Sequence, residues 1–172
     1  MIEKVVVLSR RRMGCINSKY SPLPFKNWWL ISYCTRKSEI LLTDSVQHDF
    51  KKAGCMGHLT IVCGDVTPGN IEEARKLMPD LEVFNEAQAQ AIVNFIEKAR
   101  DSKLLGGLVV HCDAGISRSG ATGTFAIDLL GLDYERFSAD HPWLRPNYHI
   151  LSLLNKASGL RGKESAFGKI IS

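Results

Sequence analysis

One stretch of the chain, VVHCDAGISRSG (109–120), sets a cysteine and an arginine five residues apart. Asp113, Ala114, Gly115, Ile116 and Ser117 lie between Cys112 and Arg118. Apolar LVVHC reads as a buried strand and RSGATGTFAIDLL as a helix, so DAGIS is a tight strand-to-helix loop. Such a loop collects backbone N–H groups at the positive end of a helix dipole, which makes an anion site. Gly115 opens backbone conformations closed to other residues, and Ala114 and Ser117 leave the cradle uncrowded. A helix N-terminus and a neighbouring guanidinium are surroundings that favour the thiolate of a cysteine. Arg118 adds a planar fork that matches two oxygens of a phosphoryl group. A thiolate under a cradle for a trigonal anion is arranged for in-line attack on phosphorus.

The elements that must carry this loop follow from the apolar pattern. KVVVL (4–8), WWLISYC (28–34) and HLTIVCGDV (58–66) predict three strands ahead of LVVHC. RRRMGCINSKYSPLPF reads as a loop, with Pro22 and Pro24. SEILLTDSVQHDFKKAG (38–54) reads as a turn and short helix. A short helix is expected within 67–78, with Asn70 as its N-cap and Glu73 three residues on. A longer one is expected over 84–101, where Phe84, Ala87, Ala91, Ile92, Phe95, Ile96 and Ala99 follow the 3.6 period and Asn85 with Gln88 can cap. Residues 118–131 predict the next helix, and ERFSADH and HILSLLNKAS predict two later ones. Strands alternating with helices predict a single α/β domain over 1–172 with a central, mostly parallel sheet flanked by helices. The tail from Gly159 to Ser172 is polar and is expected to fray.

Composition supports an ordinary globular domain: 172 residues, 45% hydrophobic and 23% charged, are enough for a core without disulfide or metal staples. No apolar run reaches a membrane span, and the N-terminal apolar stretch is too short for a signal peptide. A soluble cytoplasmic protein is the expectation, with no membrane partner and no nucleic acid partner. Five cysteines, an odd number without framework spacing, fit a reducing compartment. The net charge of +4 is uneven: residues 1–57 hold ten Lys/Arg against four Asp/Glu, and the remainder twelve against fourteen. A solvated basic face accounts for that bias, although Arg10, Arg11 and Arg12 follow the first strand and could reach the mouth of the site.

The run His111-Cys112-Asp113-Ala114-Gly115-Ile116-Ser117-Arg118-Ser119 resembles the signature loop of the cysteine-dependent protein-tyrosine phosphatases. Its form is most similar to the dual-specificity branch and to small prokaryotic and phage-type members. The resemblance runs from about residue 58 to 155 and includes HPWLRPNYHILSLL; residues 1–57 match only loosely. It implies hydrolysis of phosphomonoesters on a phosphorylated protein, with phosphotyrosine first and phosphoserine or phosphothreonine also open. Cys112 would be the nucleophile, forming a phosphocysteine. Arg118 and the N–H groups of residues 113–118 would bind the phosphoryl oxygens, Ser119 would assist departure of the sulfur, and His111 would orient the loop. No cofactor and no metal are implied. A phosphatase of inositol lipids or RNA 5′ ends is the second reading, and a catalytically inactive phosphate-binding module the third.

The resemblance also requires an aspartate as general acid, and two compete. Asp65 ends a predicted strand, 47 residues before Cys112. Asp80 lies 32 residues before it, nearer the family's usual distance. Context favours Asp65, with 67–80 as an insertion, because loops tolerate added length while strand-end geometry is hard to move. Cys55, His58 and Cys63 have a faint metal-ligand look, but their spacing completes no zinc knuckle and packing explains them. Cys34 or Cys63 could form a reversible disulfide with Cys112.

Overall fold

The structure is a computed structural model that describes residues 1–14, 26–40 and 54–160. Most of the loop expected before residue 28, most of the turn and helix expected over 38–54, and the tail beyond Leu160 lie outside the described residues.

Four strands, β1 (Ile2–Ser9), β2 (Trp29–Cys34), β3 (Gly57–Val62) and β4 (Gly106–Cys112), form one sheet in the order β1-β4-β2-β3. Every pairing is parallel, Ser9 standing opposite Cys112 and Ser32 opposite His111. The helices are α1 (Arg10–Gly14), α2 (Ile71–Leu77), α3 (Glu86–Arg100), α4 (Arg118–Leu130), α5 (Tyr134–Asp140) and α6 (Tyr148–Ala157). This is the predicted α/β architecture. No helix among the described residues is long and apolar enough to cross a membrane.

Strand alternation gives the sheet two different faces. Val5, Val7, Ile31, Tyr33, Leu108 and Val110 point to the main core, where they meet Ile92 and Ile96 of α3, Phe125 of α4 and Ile150 and Leu154 of α6. Val6, Leu30 and Val109 point the other way, packing with Met13 of α1 and Trp28. Trp28 and Trp29 are both buried, as core residues. In α4, glycine permits close packing: a Cβ on Gly123 would stand 2.6 Å from Val7 Cγ2. The Tyr33 hydroxyl and Thr122 Oγ1, 2.6 Å apart and buried, tie α4 to β2.

Three local expectations need correction. Arg10–Gly14 is a short helix, not loop, started directly from the end of β1. The third strand stops at Val62 instead of running to Val66; beyond it the Cys63 carbonyl is taken by a side chain of the site, and Gly64 N–H turns to the Glu82 carbonyl. Asn70 precedes α2 but does not cap it with its side chain; Oδ1 accepts from Thr67 N–H and Oγ1 instead, closing the preceding turn. The capping box of Asn85 and Gln88 is formed as expected.

β1 is an edge strand, and its Val7 N–H is met by His141 Nε2 at 3.2 Å. His141 is buried, with Nδ1 against the Phe137 carbonyl at 2.9 Å. The ring therefore carries its proton on Nδ1 and accepts at Nε2.

Candidate active site

In a parallel sheet all carboxyl ends point one way, and ligands bind beyond them. Every strand contributes there. Arg10 follows β1, Thr35 follows β2, Cys63 and Asp65 follow β3, and β4 ends on Cys112. The loop 113–117 then enters α4 at Arg118, as the sequence predicts.

Gly115 is the hinge of the loop. Its φ of +72° lies where a side chain is disfavoured, and an added Cβ would stand 2.5 Å from Ser9 N and 2.6 Å from Leu8 C. Only glycine lets the loop fold back against the end of β1. That turn aims Gly115 N–H at Cys112 Sγ, 3.3 Å away. Ser119 Oγ lies 3.0 Å from the same sulfur. Cys112 is 2% exposed, at the floor of the loop, so a backbone N–H and a hydroxyl converge on a buried thiol.

Arg118 is 3% exposed and must be partnered to be tolerated. Nη1 donates to the Cys63 carbonyl (2.7 Å) and to Thr35 Oγ1 (3.2 Å), and Nη2 to Asp113 Oδ2 (2.7 Å). Of five guanidinium protons, these use three. The buried Nε–H has no hydrogen-bond partner, which with one Nη2–H leaves two donors for an incoming anion. Burial lowers the Arg118 pKa, but attraction to Cys112 and Asp113 outweighs it and holds the guanidinium above its ordinary value.

Asp113 does more than lend its N–H. Oδ2 also accepts from Thr35 Oγ1 (3.1 Å), and Oδ1 pairs with Arg10 Nη2 (2.7 Å), which in turn reaches Glu39 Oε2 (2.8 Å). Burial pushes the Asp113 carboxyl up, but Arg118 and Arg10 together hold it below its usual range. Arg10 is thus a member of the site and not a solvated loop residue. Arg12 lies over the Trp143 ring at 5.8 Å, and Trp143 Nε1 donates to the Gly115 carbonyl at 3.2 Å.

The two candidate acids are placed differently. Asp65 Oδ1 accepts from Ser117 Oγ (2.7 Å) and Asn147 Nδ2 (3.0 Å), so its exposed carboxylate hangs over the loop. Asp80 sits in a turn on the wall of a cleft of about 680 Å³ beside Lys37 and Leu81, with no hydrogen bond to the loop. Asn147 was not singled out by sequence. Its Nδ2 steadies Asp65, its N–H binds the Ser117 carbonyl (3.2 Å), and its Oδ1 caps α6 at His149 and Ile150. The Pro-Asn step before an apolar helix is the signal that could have found it. Thr35 left no such signal, being a lone threonine after a strand.

His111 is buried with Nε2 2.7 Å from Ser32 Oγ. Burial, followed by the nearby His58 and Arg10, lowers its pKa to about 4. Cys63 and Cys112 are free thiols. Burial pushes the Cys63 thiol up to about 12.

The all-parallel sheet, its strand order and its flanking helices define the protein-tyrosine-phosphatase fold. Two solved structures of PTPMT1 share it with TM-scores of 0.50 at 16% identity, covering 91% of this chain and 91% and 90% of theirs. One of them is a complex with PI(5)P. No protein-family model and no curated protein matches the sequence.

Proposed function

We propose that this chain hydrolyses phosphomonoesters through a phosphocysteine, with a phosphorylated protein as substrate. The supporting observation is the convergence of Gly115 N–H and Ser119 Oγ on one buried sulfur, in a loop that ends on a buried Arg118 whose Nε–H is uncommitted. Cys112 Sγ attacks phosphorus as a thiolate, an S–P bond forms and the ester P–O bond breaks. Arg118 and the loop N–H groups of Asp113 to Arg118 bind the three equatorial oxygens as charge spreads over them. Protonated Asp65 gives its proton to the leaving oxygen, then as carboxylate takes one from the water that attacks the phosphocysteine. Ser119 O–H stabilises the departing sulfur. His111 supports the loop from behind.

A second reading is favoured by one finding, the PI(5)P held by a protein of the same fold. Against a polyanionic headgroup stands Asp113, a half-exposed carboxylate beside the nucleophile. Phosphotyrosine presents one dianion and an aryl group, for which exposed Ile116 and Trp143 offer apolar contact at the loop rim.

Hydrolysis of para-nitrophenyl phosphate with EDTA present tests the activity. Turnover is expected in the wild type, none in Cys112→Ser, and a normal rate in Asp80→Asn. Asp65→Asn is expected to lose about 10²–10³-fold on alkyl phosphates and less on this activated ester. Activity retained in Cys112→Ser removes the mechanism. Faster release of phosphate from PI(5)P vesicles than from phosphotyrosine peptides selects the lipid reading.

A further inference from the structure

The sheet face opposite the main core carries a polar strip of which the proposed mechanism uses only His111. His111 of β4, Ser32 of β2 and His58 of β3 form an unbroken hydrogen-bonded line across three strands. Ser32 Oγ is 2.7 Å from His111 Nε2 and 2.7 Å from His58 Nε2. Thr60 Oγ1 is a further neighbour of His58 Nε2 at 3.4 Å. His111 and Ser32 are buried, and His58 is half-buried. The line therefore links the residue preceding the nucleophile to a ring nearer solvent.

One hydroxyl proton is shared between two rings, and this constrains the line. Ser32 can donate to one imidazole and must accept from the other. When His58 is charged, both its nitrogens carry protons, so Nε2–H donates to Ser32 Oγ. Ser32 O–H then turns to His111 Nε2, which can accept only if the His111 proton sits on Nδ1. When His58 is neutral the opposite direction is also open, with His111 Nε2–H donating and Nδ1 bare. Passing from that arrangement to the charged one gains a single proton overall. The hydroxyl reverses, and the His111 proton moves from Nε2 to Nδ1. His111 Nδ1 is buried without a hydrogen-bond partner, and the adjacent Cys112 backbone favours a proton on this ring.

We infer that Ser32 and His58 are positioning residues that fix the tautomer of His111, so that charging His58 sets the His111 proton on Nδ1. The inference rests on Cys112 being the reactive thiol of the proposed mechanism. Among the described residues, the charged groups acting on His111 are His58, Arg10 and Asp113. Arg10 is held above, and Asp113 below, its ordinary range, so neither changes charge between pH 5 and 8. An imidazole does. Leu8, opposite His111 on β1, is apolar.

The test reads the tautomer and the thiol directly, without turnover. Nitrogen-15 spectra of histidine-labelled protein are expected to show neutral His111 moving to the Nδ1–H form as His58 titrates. The rate of Cys112 alkylation by iodoacetamide, quantified at that cysteine by mass spectrometry, is expected to show a second inflection at the same pH. His58→Gln keeps a side-chain amide but cannot titrate. It should abolish that inflection, with the melting temperature little changed. Ser32→Ala should uncouple the rings in the same way. If Ser32→Ala fails to fold, His58→Gln and the wild-type spectra still decide. A His111 tautomer indifferent to the His58 titration, or an alkylation profile unaltered in His58→Gln, overturns the inference. Failure of para-nitrophenyl phosphate turnover with the alkylation inflection intact would instead overturn the phosphatase reading alone.

Discussion

The loop that holds Cys112 and the segment that delivers Asp65 face each other, but they are secured by different forces. The loop is fixed by backbone. Gly115 packs against the end of β1 at positive φ, and Arg118 is buried among three acceptors. The Asp65 segment has only a small apolar cluster of its own, Val66, Ile71 and Leu81, set apart from the main core. Its carboxylate is exposed and held to the loop by two side-chain hydrogen bonds, each worth about 1 kcal/mol. A rigid anion cradle beside a loosely tethered proton donor suits a reaction in which the phosphoryl group must stay fixed while leaving groups of different sizes depart.

Four perturbations would break or sharpen this contrast. The largest effect is expected from Gly115→Ala. Its Cβ meets backbone atoms that cannot step aside, so stability should fall by about 2–5 kcal/mol and turnover should be lost. Urea melts and phosphate release measure both, and near-normal values would show the loop to be pliable. Next, Arg118→Lys keeps the charge but loses the fork, and kcat/KM is expected to drop about 10²–10³-fold with the melting temperature less affected.

The third concerns acid. His111 is buried neutral, its pKa lowered from 6.5 to about 4. Above pH 6.5 both folded and unfolded chains leave it uncharged, and its contribution is complete. As pH falls below 6.5 the unfolded chain takes up a proton that the folded chain refuses until about pH 4. Stability should therefore decline across that window, by an amount on the order of 3 kcal/mol. Burial lowers the His141 pKa too, which adds a decline of the same sign. Urea midpoints at pH 7 and pH 4.5 check this, and equal midpoints would contradict a neutral buried ring.

The smallest effect is expected from Asn147→Ala. Loss of the α6 cap should cost about 1 kcal/mol. Freeing Asp65 should lower kcat severalfold on alkyl phosphates and hardly at all on para-nitrophenyl phosphate. An equal loss on both esters would mean that Asn147 acts on the cradle and not on the donor.

The same contrast governs what could be read from sequence. β4, the loop and α4 are contiguous, so apolar run, glycine, arginine and helix pattern all fall within twenty-odd residues and agree. Asp65 could be favoured because it follows a strand, but its choice over Asp80 depends on Ser117 and Asn147, which meet it only in three dimensions. Arg10 and Thr35 converge on Asp113 from the ends of two other strands, and nothing local marks them. The apolar pattern overextends the third strand because VCGDV is apolar enough to continue, while the Cys63 carbonyl is diverted to Arg118. The helix at Arg10–Gly14 was hidden in a run of arginines that carries no periodic apolar face.

One feature of the fold bears on how the protein behaves in a crowd. Among the described strands β1 is an edge of the all-parallel sheet, and an edge N–H at Val7, the last valine of VVV, invites pairing by another chain. The imidazole of His141 occupies that N–H from the side, braced by Phe137 at 4.6 Å and Trp143 at 5.5 Å between ring centres. A strand seeking to extend the sheet would have to expel a buried ring first. The histidine thus serves as a stopper against self-association, guarding a strand whose sequence would otherwise favour it.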